Sequence, residues 1–233
     1  NNTMRDTVLR YKDLATGKTI NTTEMVDGGH ATIDIYENII AYETPTHAIK
    51  YFDVNTGTAH DTGQTGSHPA VYGNVIVFEK AGTIAIYDIS TGEVRNTGAR
   101  GADPVINGNV IAYHGGTPAT IRTLNVSTGA VFDTKVVGQH AAIEGNIIAF
   151  VTSELHASTD LNGDGTLNAV GVIRYYNTTT NQVTNTGAIG NYPVMSNGQI
   201  AFSTQESHGK VDLNGDGQIR GEVVQYFDIA SQT

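Results

Sequence analysis

The sequence predicts an all-β fold, a β-propeller of about five four-stranded blades closed by its N- and C-terminal strands. Three observations lead there. Two short motifs alternate along the chain with a period of about 38 residues, and a period of that size with four strands per repeat is a propeller blade. The composition is rich in Gly, Thr and Asn and poor in Lys, Glu and Leu, which suits strands and tight turns. No stretch carries a convincing helical period.

The first motif pairs an aromatic and an apolar residue at the end of a strand with a Thr-Gly turn. It reads YKDLATGKTINT at 11–22, YFDVNTGTAHDTG at 51–63, IYDISTGEVRNTG at 86–98, TLNVSTGAVFDT at 123–134, YYNTTTNQVTNTG at 175–187 and YFDIASQT at 226–233. The glycine supplies the positive φ that a two-residue hairpin turn requires. The second motif lies between these copies: GGHATIDIYENIIAYE at 28–43, GSHPAVYGNVIVFE at 66–79, GADPVINGNVIAYH at 101–114, GQHAAIEGNIIAF at 138–150 and GNYPVMSNGQIAF at 190–202. Each copy is a short strand, a tight turn and an apolar strand whose continuous run of Ile, Val, Ala and aromatics predicts burial on both faces. An immunoglobulin-like sandwich does not repeat its own sequence in this way. The reading is one domain over residues 1–233.

The last two intervals between Thr-Gly turns are about 14 residues longer than the rest. They hold insertions at about 153–170 and 205–222 with a common core, D-x-N-x-D-G. This resembles the first half of an EF-hand loop, in which side chains at positions 1, 3 and 5 and the carbonyl at 7 reach one hard cation and Gly at 6 makes the turn. The expected ligands are Asp160, Asn162, Asp164 and the Thr166 carbonyl in the first loop, and Asp212, Asn214, Asp216 and the Gln218 carbonyl in the second. The pattern then departs from the EF-hand: position 12 holds Gly171 and Val223 where a bidentate Glu belongs, and no flanking helices are expected. Glu154 and Glu206, each six residues before the first Asp, are the candidate replacements, with Glu222 a further candidate. The expectation is about two Ca²⁺ ions that rigidify the loops. His156 and His208 recur two residues after each Glu and read as packing residues preserved by duplication, with ligands to a second, softer metal as the alternative.

One polar residue starts the first strand of each blade: His30, His68, Asp103, His140 and Tyr192. Such residues line a propeller's channel. They read either as a metal, anion or small-ligand site or as strand-entry positions bonding the neighbouring backbone. Glycosidic chemistry needs paired carboxylates; Asp103 is the only acid at that position, with Asp34 and Glu144 nearer the turns. No nucleophile elbow or phosphate loop is present, so a non-catalytic role is expected.

The formal charge is −10 with 13 Lys and Arg, which argues against nucleic acid and anionic membranes as partners. There are no cysteines, and no apolar run reaches the length of a membrane span. Sequons stand at Asn1, Asn21, Asn125 and Asn177. The stretches IIAYE and IKYFDVNTG resemble the TolB-like and WD40-like propeller repeats of bacterial and archaeal surface and periplasmic proteins, although the Gly-His…Trp-Asp signature is absent. The resemblance implies an extracellular, cell-surface or periplasmic module. Its role would be structural, adhesive or self-assembling, with other subunits as partners. The alternatives are a carbohydrate-binding or carbohydrate-cleaving propeller with surface glycans as ligands, or a TolB-like periplasmic adaptor. Six copies of the outer motif against five of the inner one predict a spare strand at 222–233. That strand completes a five-stranded blade within the chain, is donated to a neighbour in a homo-oligomer or filament, or belongs to a longer propeller of which this chain is a fragment.

Overall fold

The computed structural model describes residues 7–28, 32–167 and 171–233. The chain divides into two compact units, Asn1–Gly98 and Ala99–Thr233. In the first, β1 (Val8–Lys12) and β2 (Thr19–Met25) form a two-stranded hairpin. Two four-stranded sheets follow. One comprises β3 (Ile33–Tyr36), β4 (Ile39–Glu43), β5 (Ala48–Asp53) and β6 (Thr58–Thr65). The other comprises β7 (Ser67–Tyr72), β8 (Val75–Lys80), β9 (Thr83–Asp88) and β10 (Val94–Arg100), the last of which runs across the boundary between the units. The second unit continues with β11 (Ala102–Asn107), β12 (Val110–Gly115), β13 (Thr120–Asn125) and β14 (Val131–Val137) as one sheet. Next come β15 (Gln139–Glu144), β16 (Ile147–Thr152), β17 (Val172–Asn177) and β18 (Gln182–Ile189). It ends in a three-stranded sheet of β19 (Asn191–Ser196), β20 (Gln199–Gln205) and β21 (Glu222–Asp228). Every sheet is an open sheet in which sequence neighbours pair. Among the described residues the sheets are thus four of four strands, one of three strands and a separate hairpin, where the sequence predicts about five four-stranded blades.

The apolar second strands are the centre of each sheet, as their composition predicts. Ile40, Ala41 and Tyr42 in β4, Ile76, Val77 and Phe78 in β8, Ile111, Ala112 and Tyr113 in β12, and Ile148, Ala149 and Phe150 in β16 are all buried. Their alternate side chains serve opposite faces. Ala112 and Ile121 of one sheet are covered by Ile148, Phe150 and Tyr176 of the next, and Ala149, Val151, Ile173 and Tyr175 by Ile200 and Phe202. The same arrangement in the first unit sets Ala41, Ile49 and Tyr51 against Ile76, Phe78 and Tyr87. Burying each such large side chain contributes roughly 1.5–3 kcal/mol.

The Thr-Gly hairpins are longer than the predicted two residues. β5 ends at Asp53 and β6 begins at Thr58, and the Gly57 N–H donates to the Asp53 carbonyl at 2.8 Å. The signal that lengthens the loop is the Asp or Asn four residues before Gly57, Gly92, Gly129 or Asn181, whose side chain accepts the N–H two or three residues on. Asp53 accepts from Asn55, Asp88 from Ser90, Asn125 from Thr128 and Asn177 from Thr179. The last Thr of each motif bonds backbone instead: Thr62, Thr97, Thr134 and Thr186 each donate their hydroxyl to a carbonyl of the preceding strand, at 2.6–2.7 Å.

Two short helices stand where none was expected, α1 (Glu154–Ala157) and α2 (Glu206–Gly209). Four residues are too few to carry a helical period in sequence.

Candidate functional site

The two insertions fold alike. In the first, the carboxylate of Asp160 accepts the Gly163 N–H at 2.7 Å on one oxygen and the Gly165 N–H at 2.9 Å on the other. Asn162 Oδ1 accepts from Asp164 N–H at 3.0 Å, and Asp164 Oδ1 accepts from the Thr166 N–H at 2.8 Å. The second loop repeats each bond on Asp212, Asn214 and Asp216, within 0.1 Å: Gly215 at 2.7 Å, Gly217 at 2.8 Å, Asp216 at 2.9 Å and Gln218 at 2.8 Å. The Thr166 hydroxyl, then its N–H, holds the Asp164 carboxyl below the usual carboxylate range. Each Asp160 and Asp212 oxygen uses one lone pair on a loop N–H and keeps a second for a cation. Two carboxylates and an amide oxygen in an exposed turn form a hard, oxygen-only donor set, which suits calcium.

Glu154 and Glu206 are wholly buried. They begin α1 and α2 rather than ending the second strands, and they grip the loop backbone. Glu154 Oε1 accepts the N–H groups of Leu161 at 2.7 Å and Asn162 at 3.0 Å. Glu206 Oε1 accepts those of Leu213 at 2.8 Å and Asn214 at 3.0 Å, and its Oε2 accepts from Gly221 at 2.7 Å. Charge-assisted bonds of this kind anchor the loop to the sheet. Glu222 is an exposed residue at the start of β21, paired with Gln205. His156 lines a cleft of about 210 Å³ with Pro118, Gly138, Gln139 and Ser153.

The starting residues of the inner strands share a conformation that sequence alone does not disclose. His68, Asp103, His140 and Tyr192 all adopt φ of 50–51°, at a bulge that interrupts each strand pairing. A left-handed non-glycine residue is uncommon and stores strain, and a bulge re-aims its side chain. β3 pairs with β4 without interruption from Ile33 to Tyr36, and His30 lies outside the described residues. In the second unit the bulged side chains gather. Asp103 Oδ2 lies 3.7 Å from His114 Nδ1 and 3.8 Å from His140 Nδ1. The His140 ring meets Tyr192 edge-on at 5.0 Å. In the first unit His68 Nδ1 lies 3.8 Å from Glu79, and the buried Glu43 accepts the His68 N–H at 3.3 Å and contacts His47 Nδ1 at 2.5 Å. His114, Glu79 and Glu43 were missed by the sequence reading. The signal was there: each follows the aromatic residue of its second strand.

The other acids considered for catalysis tie sheets together. Asp34 accepts the Val71 N–H at 2.8 Å, and burial pushes its carboxyl up from the ordinary range. Glu144 accepts the N–H groups of Asn197 at 2.8 Å and Gly198 at 2.9 Å.

No protein family and no curated protein matches the chain. Its fold is similar to solved structures at low identity. An oligogalacturonate lyase from Vibrio parahaemolyticus matches with a TM-score of 0.65 at 12% identity, over 96% of this chain and 69% of that one. A TolB from Agrobacterium tumefaciens matches with a TM-score of 0.63 at 12% identity, over 96% and 85%. The computationally designed Ika8 protein matches with a TM-score of 0.57 at 14% identity; this chain spans 94% of itself and 64% of Ika8, less than two thirds of that protein's length. These likenesses support a propeller-type repeat fold. No helix among the described residues is long and apolar enough to cross a membrane.

Proposed function

We propose that the chain is a non-catalytic, propeller-type binding module whose two D-x-N-x-D-G loops each hold a Ca²⁺ ion. The observation that carries this reading is the duplication. Two insertions separated in sequence keep the same acids, the same internal bonds and the same buried glutamate anchor. Asp160, Asn162, Asp164 and the Thr166 carbonyl supply oxygens in one loop, and Asp212, Asn214, Asp216 and the Gln218 carbonyl supply them in the other. The ion's contribution is structural: it neutralises the two carboxylates of each loop and stiffens a long insertion. Affinities near 10⁻⁴–10⁻³ M, or tighter, suit a module working outside the cell, at a surface or in the periplasm. Calorimetric titration should return about two sites, and Asp164→Ala and Asp216→Ala should each remove one. Melting in excess EDTA should occur at lower temperature than in millimolar Ca²⁺ by mass action; an unchanged melting curve refutes the stabilising role.

A second reading rests on the bulged cluster of Asp103, His114, His140 and Tyr192. Strained, convergent polar side chains mark binding sites, and a sugar or another polyol fits a set of one carboxylate, two imidazoles and an aromatic edge. A glycan-array screen of the protein beside its Asp103→Ala, His140→Ala variant tests this. Signals common to both proteins exclude the cluster.

A further inference from the structure

The last sheet exposes a face that its predecessors bury. Strand register makes the comparison residue by residue: Ala149 pairs with Tyr175 and Val151 with Ile173 in the β15–β18 sheet, as Ala201 pairs with Tyr226 and Ser203 with Val224 in the β19–β21 sheet. Ile173 is 0% exposed and Tyr175 6%, whereas Val224 is 81% exposed and Tyr226 67%. Ala142, in β15, is 9% exposed, and its counterpart Val194 is 62%. An alternating strand with large apolar side chains in water is an interaction surface.

The fold itself shows what covers such a face. Ile200 and Phe202 cover the β15–β18 sheet, Ile148 and Phe150 cover the β11–β14 sheet, and Ile76 and Phe78 cover the β3–β6 sheet. All three are an Ile-x-Phe pair on the second strand of an inner hairpin. We propose that the Val194, Val224 and Tyr226 face binds an inner-pair hairpin of this repeat type, bearing Ile-x-Phe or Ile-x-Tyr and lying outside residues 1–233. A second copy of this chain cannot supply it. Its five pairs are Ile40 and Tyr42, Ile76 and Phe78, Ile111 and Tyr113, Ile148 and Phe150, and Ile200 and Phe202. All are at most 4% exposed in their own sheets.

The test uses the full chain and a fluorescein-labelled, backbone-cyclised peptide of residues 138–152, since a free hairpin is marginal in water and cyclisation pre-organises it. Fluorescence anisotropy should show saturable binding that weakens at least tenfold in the Val224→Lys, Tyr226→Lys protein. It should weaken similarly when the peptide carries Phe150→Ser. Both protein positions are exposed, so the variant keeps its fold. Absence of saturable binding overturns the proposal. Binding that the two lysines leave unchanged also overturns it and points to pairing along the β21 edge. Sedimentation of the unliganded protein supplies the remaining outcome: a concentration-dependent dimer abolished by the lysines assigns the face to a second copy, against the proposal.

Discussion

At the scale of single residues, repetition selects side chains for backbone tasks. Gly66, Gly101, Gly138 and Gly190 precede the four bulged residues, and at each an added Cβ would approach an aromatic ring carbon of the paired strand to 2.7 Å or less. At Gly138 the ring is that of Phe150, at 2.4 Å. Gly138→Ala should therefore destabilise the second unit by about 1–3 kcal/mol through overpacking, read as a shift in the urea midpoint; an unshifted midpoint means that the ring can yield. Asp34 illustrates a titration. Burial raises its folded pKa above the unfolded value, so the native state binds the extra proton. Its contribution to stability is therefore fully present below the unfolded Asp pKa and is lost as pH rises through the folded one. Asp34→Asn keeps an oxygen to accept the Val71 N–H and removes the titration. The melting temperature of the variant should fall less than that of the parent between pH 3.5 and the folded pKa. Parallel curves contradict the assignment.

At the scale of elements, the insertions are organised from beneath. Glu206 satisfies three N–H groups from a position without solvent access, so the loop's path depends on one carboxylate. Glu206→Ala leaves those donors without their acceptor, at about 1–3 kcal/mol for a buried unsatisfied group. Limited proteolysis should then cut within 207–221 faster than in the parent, with and without Ca²⁺. Asp216→Ala should speed the same cleavage only when Ca²⁺ protects the parent. Equal cleavage of parent and Glu206→Ala rules out the anchoring role. The two single-turn helices close on the backbone of the same glutamates: Thr159 and Val211 each return an N–H to the carbonyl of the glutamate that starts the turn, at 3.3 Å.

At the scale of the whole molecule, both candidate cation loops belong to the unit of residues 99–233, and neither lies in residues 1–98. Chelation should act unevenly. Hydrogen exchange in EDTA should accelerate in 153–167 and 205–222 and then in β16 and β20, which carry the loops. β4 and β8 should keep their protection, because their stability comes from buried apolar contacts that need no ion. Uniform acceleration along the chain would show that the loops do not act locally.

The sequence by itself determines the strand inventory, because side-chain alternation, turn residues and apolar runs are local properties. The two insertions and their D-x-N-x-D-G acids are read just as directly, since the duplication is linear. The five inner pairs from Ile33–Glu43 to Asn191–Gln205 all stand where the motifs put them. Other features depend on neighbours distant in the chain. Only the tertiary structure decided that Glu154 and Glu206 are buried and hold loop backbone, because burial is a property of the packed sheet. Only it decided that His68, Asp103, His140 and Tyr192 are bulged into the left-handed region, because a bulge is a mismatch between two paired strands. It alone decided that Tyr175 is buried while Tyr226 stands in water, although both lie in near-identical motifs. The same alternating strand is core where another sheet's Ile and Phe reach it, and surface where none does.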